Sequence, residues 1–331
     1  MGAVGAAQLA RALPSFSMLH RLEFRAMGSK MLAIVDGVDL PPTMGAVPTW
    51  FEEWEQVLSR FRSDSELRRL NMAAGSAIVV SEVLWEVYAA ALTAERATGG
   101  LVTPLVLEAL LYAGYDHSFD LLQPFDRRGP QFAPQLNVPE ASHRPMRQVE
   151  LRDVAANPSN RSICLPRGAL LDFGGIAKGW SAEQAALRLQ PCGPALVSAG
   201  GDISVTGPRA DGEPWGIDVE DPFNEGRFVE TIYLNGGGVA TSGRDRRHWL
   251  RNGVPQHHII DPRTGLPAAT DILTATVIAA SAVEAEALAK AVLISGSTAG
   301  LDWLDSAESL AGLLILENGQ RLYSRHMDKY L

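Results

Sequence analysis

The chain of 331 residues is long enough for one large domain or two modest ones, and its 46% hydrophobic residues can build a sizeable core. The 29 basic and 38 acidic residues give a net charge of −9, which argues against non-specific nucleic-acid binding because that binding depends on phosphate neutralisation. Cys164 and Cys192 lack the spacing of a zinc site. So few cysteines are typical of a reducing, cytoplasmic location, although two could still pair in an oxidising one.

Residues 1–18 have neither a basic start nor a long apolar stretch, so we expect a flexible leader without a secretory signal or membrane anchor. Residues 19–331 are expected to form a single domain. The patterns of its first part predict two strands over 22–37, a helix within 47–71 with a cap at Asp64 or Ser65, and helices over 80–100 and 105–114.

Residues 116–160 are rich in Pro, Arg, Asp and Asn and have weak periodicity. We expect a long surface excursion there, either a lid or a family insertion, with one helical turn after Pro139.

The remaining chain alternates strand and helix patterns, which together predict a mixed α+β domain. The expected elements are a hairpin over 163–175, a helix over 177–190, strands over 195–207, 214–222, 230–243 and 257–265, a buried strand over 272–281, a helix over 283–296, and a closing hairpin over 313–324.

Two glycine-rich turns carry the first candidate chemistry. In residues 172–180 a strand enters a glycine turn before a helix, so bare N–H groups at the helix start could bind an anion beside Lys178. The alternative is an ordinary turn with a solvated lysine. In residues 198–202 a glycine pair either lets the backbone approach a ligand or forms a tight turn.

Two later stretches carry arginines and a histidine. Residues 236–247 place small and hydroxyl side chains beside three arginines, which either line a pyrophosphate pocket or lie on a solvated turn. His258 lies in a predicted strand over 257–265, where Ile259 would face the other way. It could accept a proton from an attacking hydroxyl, or it is a hydrogen-bonded structural histidine.

Glu286 and Lys290 are four residues apart on a predicted helix and therefore share a face. They form either a surface ion pair or a polar pair that points from an apolar helix into a ligand pocket.

These five stretches, in this order and together with residues 26–29 and 63–71, resemble the ApbE family from about Phe24 to Gly296. The resemblance implies a T-fold-like α+β domain with mixed or antiparallel sheets and packed helices. It also implies that FAD lies in a cleft with Mg²⁺ near its pyrophosphate, and that FMN is transferred to a Thr or Ser of a target flavoprotein with release of AMP.

The resemblance also implies roles for individual residues. His258 and Lys178 would be catalytic, and Ala177, through its carbonyl, and Glu286 would hold the metal. The positions that would contact FAD are Met27, Phe61, Leu101, Val102, Thr103, Lys178, Glu183, Thr241, Ser242, His258 and Lys290.

Three positions depart from the family pattern. The family has an acidic residue at Thr103, Asp at Glu183, and an Asp–Thr pair of metal ligands at Glu286 and Lys290. A protonated lysine is no metal ligand and repels a nearby cation, although its charge could stand in for part of the metal's. Three functions stay open: an FMN transferase with an altered metal site, a protein that binds FAD without transfer, and an FAD pyrophosphatase.

Overall fold

The structure, a computed structural model, describes residues 18–119 and 150–331, and within them it contains no helix long and apolar enough to cross a membrane. The strands are β1 Met18–Ala26, β2 Ser29–Gly37, β3 Ala77–Val79, β4 Ala155–Asn157, β5 Ser162–Cys164, β6 Ala195–Ala199, β7 Asp202–Val205, β8 Trp215–Glu220, β9 Phe228–Leu234, β10 Gly237–Gly243, β11 His248–Arg251, β12 Val254–His257, β13 Ile260–Asp261, β14 Leu266–Pro267, β15 Ile272–Ala279, β16 Ala311–Leu316 and β17 Arg321–Tyr323. The α-helices are α1 Val47–Leu58, α2 Glu66–Met72, α3 Glu82–Ala97, α4 Leu107–Tyr112, α5 Ala177–Leu189, α6 Ala282–Ser295 and α7 Ser297–Asp305.

An eight-stranded sheet in the order β1-β2-β6-β7-β10-β15-β16-β17 organises the fold, and every neighbouring pair in it is antiparallel. Helices α5 and α6 contact each other and cover the central strands, while the β8–β9 hairpin packs its apolar residues into a separate core with β7, β10 and β16. This arrangement confirms the predicted α+β class.

The local sequence explains several element boundaries. The β1–β2 hairpin turns at Met27 and Gly28, whose φ angles are 49° and 63°, as a tight hairpin turn requires. Ser65 is the cap of α2, since its hydroxyl accepts the Arg68 N–H at 3.1 Å, which resolves the predicted choice between Asp64 and Ser65.

Helices α5 and α6 approach closely because α5 carries a glycine at the contact. A Cβ at Gly179 would lie 2.7 Å from the Ala282 carbonyl oxygen and 2.9 Å from Glu286 Oε2, so no other residue fits without a shift. The first turn of α5 therefore lies directly against the first two turns of α6.

The hairpin predicted over 163–175 is wrong. Only β5 forms there, and it pairs with β3 and β4. Beyond it, the amide side chain of Asn71 donates to the Leu171 carbonyl at 2.9 Å and accepts the Leu171 N–H at 2.8 Å. A side chain thus replaces the partner strand that the alternating apolar pattern predicted.

The continuous strand predicted over 257–265 is also wrong, since β12 ends at His257 and β13 begins at Ile260. The structure adds the β11–β12 hairpin and α7, which the sequence patterns did not reveal. Of the excursion expected over 116–160, the described residues 150–160 contain a short 3₁₀ turn and β4. The turn predicted after Pro139 lies outside the described residues.

Candidate functional site

Four charged side chains from α5, β7 and α6 meet beside the start of α5, and we call them the lysine–carboxylate cluster: Lys178, Asp202, Glu286 and Lys290. The Lys178 ammonium contacts Asp202 Oδ2 and lies 3.5 Å from Glu286 Oε1. The Lys290 ammonium lies 3.0 Å from the same Glu286 oxygen. The solvated lysine and the surface ion pair, two of the alternatives left by the sequence, are therefore wrong.

Glu286 is the centre of this cluster and is completely buried. Its Oε2 accepts the Gly179 N–H at 2.8 Å, and its Oε1 faces both ammonium groups. Each carboxylate oxygen thus has a partner, as a buried charge requires.

The environment shifts three pKa values in the cluster. Burial, only partly opposed by Lys178, raises the pKa of Asp202 to about 6. Burial also opposes ionisation of Glu286, but Lys290 and Lys178 outweigh it and hold the pKa of Glu286 below its ordinary value. For Lys178 burial acts against the charged form, yet Asp202 and Glu286 raise its pKa above the ordinary value. The cluster can therefore gain one proton, at Asp202, near pH 6.

The β6–β7 turn and the end of the β1–β2 turn also lie near Lys178. Gly200 and Gly201 form the tight two-residue turn between β6 and β7, with φ angles of 65° and 99°, which is the second of the two predicted alternatives. A Cβ at Gly200 would lie 2.9 Å from Ser29 Oγ and 3.8 Å from Lys178 Cδ, so this turn also lies close to neighbouring side chains. The Arg247 guanidinium donates to Ser29 Oγ at 3.2 Å and is close enough to affect the pKa of Lys178. Met27 lies in the same region, where its sulfur is 3.8 Å from the Ser181 hydroxyl oxygen.

His258 lies at the bend between β12 and β13, not on a continuous strand. Its Nδ1 is 3.4 Å from the Arg247 carbonyl oxygen, which can only accept, so Nδ1 carries the proton and Nε2 bears the lone pair. Burial, reinforced by the charges of Arg247, His257 and Lys290, lowers the pKa of His258 well below its ordinary value. The imidazole is therefore neutral at physiological pH, and Nε2 is the atom at which it would take up a proton.

Three rings form an aromatic column beside the cluster: Phe61, Tyr115 and Trp249. The centroids of Phe61 and Tyr115 are 5.7 Å apart, and those of Tyr115 and Trp249 are 5.2 Å apart. The Arg60 guanidinium lies 4.0 Å from the Phe61 centroid and 4.5 Å from the Tyr115 centroid. Phe61 is 41% exposed, so part of its ring is available to a ligand.

Arg60 also ties the column to the turn that precedes α5. Its Nε lies 2.5 Å from Asp172 Oδ2, and both side chains are buried. Asp172 Oδ1 accepts the Gly174 N–H at 2.6 Å. The turn over 172–178 thus holds the aromatic column at one end and the lysine–carboxylate cluster at the other.

The predicted stretch 101–103 flanks the same turn. Val102 and Thr103 line a cavity of about 20 Å³ together with Asp172 and Gly175, which has room for about one water molecule. The Thr103 hydroxyl accepts the Leu105 N–H at 3.3 Å and so caps a short 3₁₀ turn. Leu101 packs against the core beneath α6.

Three other residues predicted to contact FAD lie in α5 and β10, and the structure gives the surroundings of each. Glu183 accepts the Val283 N–H at 3.5 Å, which places it at the start of α6. Thr241 shares a 2.9 Å hydrogen bond with Thr276 on β15. Ser242 is buried and, as the next residue on β10, points to the opposite face from Thr241.

The residues expected to hold a metal do not fit a divalent cation. Mg²⁺ requires several oxygen ligands, whereas Glu286 is already matched by two ammonium groups. The Ala177 carbonyl, the other expected ligand, accepts the Ser181 hydroxyl at 2.7 Å. Across residues 18–119 and 150–331, no group of three or more His, Cys, Asp or Glu side chains is placed to hold a metal ion.

Two residues of this region, Asp202 and Arg60, were not predicted from the sequence, and the sequence does not distinguish the three arginines near residue 245. Asp202 is the buried first residue of β7 and directly follows two glycines. A carboxylate at the start of a predicted apolar strand is a signal that could have suggested a buried partner for Lys178. Arg60 gave no signal. Of the arginines near residue 245, Arg247 reaches the cluster, whereas Arg244 binds the carbonyls of β15 and its preceding loop and Arg246 pairs with Glu220 on the surface.

Comparison with known proteins gives a consistent result. A family model described as ApbE family matches residues 27–314. An FAD:protein FMN transferase of Treponema pallidum is 32% identical over 263 residues, covering 75% of this chain and 70% of that protein. One of Salmonella typhimurium is 26% identical over 330 residues, covering 90% of this chain and 85% of that protein. The crystal structure of the ApbE protein of Thermotoga maritima superposes with a TM-score of 0.77 at 28% identity, covering 95% of this chain and 99% of that one.

Proposed function

Because the chain belongs to the ApbE family, we propose that it is an FAD:protein FMN transferase. The substrates are FAD and a Thr or Ser hydroxyl of an acceptor flavoprotein, and the products are the flavinylated acceptor and AMP. The observation that carries this proposal is the convergence of Lys178, Lys290 and His258 beside the start of α5, within a chain that matches such transferases over most of its length.

The start of α5 and its cations suit the diphosphate of FAD. The Ala177 and Gly179 N–H groups already donate to the Phe173 carbonyl oxygen and to Glu286 Oε2, so the attraction for an anion comes from the helix dipole and the nearby ammonium groups. Lys178 lies in the first turn of α5, and the stem of Lys290 covers Gly175 in the preceding turn. We place the diphosphate against this surface and the flavin ring near Phe61 and Met27.

The reaction exchanges one phosphorus–oxygen bond for another. The acceptor hydroxyl oxygen attacks the phosphorus of the FMN moiety, the bond to the bridging oxygen breaks, and AMP leaves with that oxygen and its electron pair. The hydroxyl proton passes to Nε2 of His258, the nitrogen that bears the lone pair. Lys178 and Lys290 stabilise the charge on the phosphoryl oxygens, so catalysis depends on positioning and electrostatics.

Covalent labelling tests this proposal directly. The purified protein is incubated with FAD, Mg²⁺ and a protein acceptor of the Treponema pallidum relative, and the acceptor is examined for flavin fluorescence after denaturing electrophoresis. We expect a fluorescent acceptor band that disappears when the acceptor hydroxyl residue is replaced by Ala. The absence of labelling with every divalent cation, and without any, would contradict the proposal.

The Lys290–Glu286 contact favours a second candidate, a protein that binds FAD without transferring FMN. Flavin that stays FAD for days in the presence of Mg²⁺ and acceptor would support this candidate. AMP released without an acceptor would instead indicate a pyrophosphatase that uses water as the nucleophile. The cytoplasmic location stays a prediction.

A further inference from the structure

We propose that Lys290 is a built-in cation that takes the place of a divalent metal ion, so that this chain binds the diphosphate of FAD without metal. This inference rests on the proposed function, since it concerns how the same site holds the same substrate.

The Lys290 ammonium is held at one position. It donates to Glu286 Oε1 at 3.0 Å and lies 3.3 Å from the Glu286 carbonyl oxygen, and its side chain is only 14% exposed. Its stem packs on Gly175, where an added Cβ would lie 3.5 Å from Lys290 Cε. A charge fixed in this way acts like a bound ion, because little conformational freedom remains to be lost when a ligand arrives.

The position of this charge is the one that a diphosphate requires. Gly175 belongs to the turn that leads into α5, so the Lys290 ammonium lies beside the positive end of that helix. Lys178, in the first turn of α5, lies 3.5 Å from the same Glu286 oxygen. Both ammonium groups therefore lie within 3.5 Å of one carboxylate oxygen near the helix start.

The charge balance leaves room for an anion and not for a further cation. Five charged side chains lie close enough to influence one another's pKa values. Three are cations (Lys178, Lys290 and Arg247) and two are carboxylates (Asp202 and Glu286), so the group has one positive charge in excess. A divalent cation added here would raise that excess next to two ammonium groups and would have to displace one of them from Glu286. A dianionic diphosphate is attracted by all three cations and changes the net charge of the group from one positive to one negative.

Measurement of FAD affinity by flavin fluorescence quenching, in EDTA and in excess Mg²⁺, tests the inference on the unmodified protein. We expect the two dissociation constants to agree within about twofold, because no metal takes part. A wild-type affinity that falls about tenfold or more in EDTA would overturn the inference and leave the proposed function standing. No FAD binding in either buffer would overturn both.

Two variants identify the residue. Lys290→Gln should weaken FAD binding about tenfold or more in both buffers, since one charge-assisted contact is lost, whereas the surface control Lys329→Gln should not. The pair Glu286→Asp with Lys290→Thr should bind FAD about tenfold more tightly in Mg²⁺ than in EDTA. Wild-type affinity in Lys290→Gln, or a double variant that folds and ignores Mg²⁺, would overturn the inference.

Discussion

The lysine–carboxylate cluster and the aromatic column lie at the two ends of one turn, yet they are built on different physical principles. In the cluster each oxygen of Glu286 has a partner at a defined distance. In the column Phe61, Tyr115 and Trp249 contact one another through tilted rings, and Phe61 keeps part of its surface exposed. Directional bonds between buried charges tolerate little change, whereas ring contacts tolerate substitution by another ring. Changes in and beside the cluster should therefore have larger effects than changes in the column.

The largest effect is expected beside the cluster, at His258. Replacement of His258 by Gln removes the proton acceptor and should lower the rate of FMN transfer about 10²- to 10⁴-fold. FAD affinity should change little, because the imidazole is neutral. The unmodified enzyme should show no loss of rate through His258 protonation between about pH 8 and 6, since the pKa of this histidine lies well below its ordinary value. A His258→Gln variant that transfers at the wild-type rate would contradict this role.

Removal of the central carboxylate should break the cluster structurally. Glu286→Ala leaves the Gly179 N–H and two ammonium groups without their buried partner, and should lower the free energy of unfolding by about 3–5 kcal/mol. Urea denaturation measures the change. Glu284→Ala, on the exposed face of the same helix, is the matched control and should cost about 1 kcal/mol at most. Equal stability of the two variants would mean that Glu286 does not hold α5 and α6 together.

The protonation of Asp202 should give the cluster a pH signature. Its pKa is about 6 in the folded protein and 3.8 ordinarily, so the folded state binds a proton more tightly. The contribution of Asp202 to stability is present below pH 4 and is lost as the pH rises towards 6. The unfolding free energy of the wild type, compared with Asp202→Asn, should therefore fall between pH 4 and 6 by on the order of 2 kcal/mol.

A denaturation series of both proteins from pH 4 to about 8 measures this difference. A difference that rises with pH over that interval would contradict the assignment of Asp202 as the member of the cluster that takes up a proton.

The smallest effect is expected in the aromatic column. Phe61→Leu keeps an apolar side chain but loses the ring, and should weaken FAD binding by about 0.5–1.5 kcal/mol. Phe61→Tyr should bind FAD nearly as well as the wild type. Fluorescence titration distinguishes the two variants. Identical affinities of wild type and Phe61→Leu would show that the flavin ring does not lie on this side of the turn.

Much of the fold follows from local patterns that carry their own physical signal. The apolar run of β15 is buried along its whole length, and α3 and α6 begin at serine caps, as periodicity and capping rules predict. The hairpin predicted over 163–175 failed because Asn71, about a hundred residues away, binds the backbone of Leu171. A long-range side-chain contact of this kind leaves no trace in a local pattern.

For the site, too, the sequence predicts local relations between residues but not contacts between residues that are distant in the chain. The spacing of Glu286 and Lys290 shows that they share a helix face, but only packing against α5 shows that this face is buried. The three arginines near residue 245 look alike in sequence. Only the fold shows that Arg247, and neither of the other two, donates a hydrogen bond to Ser29 beside the β1–β2 turn. Asp202 was missed because its partner, Lys178, lies on another element.

The central claim is that the diphosphate of FAD lies at the lysine–carboxylate cluster, and a crystal structure of the protein with FAD in the presence of EDTA tests it most directly. We predict density for the diphosphate at the start of α5, with phosphate oxygens about 2.7–3.2 Å from the ammonium groups of Lys178 and Lys290. Density for the diphosphate beyond the reach of both lysines would contradict the claim.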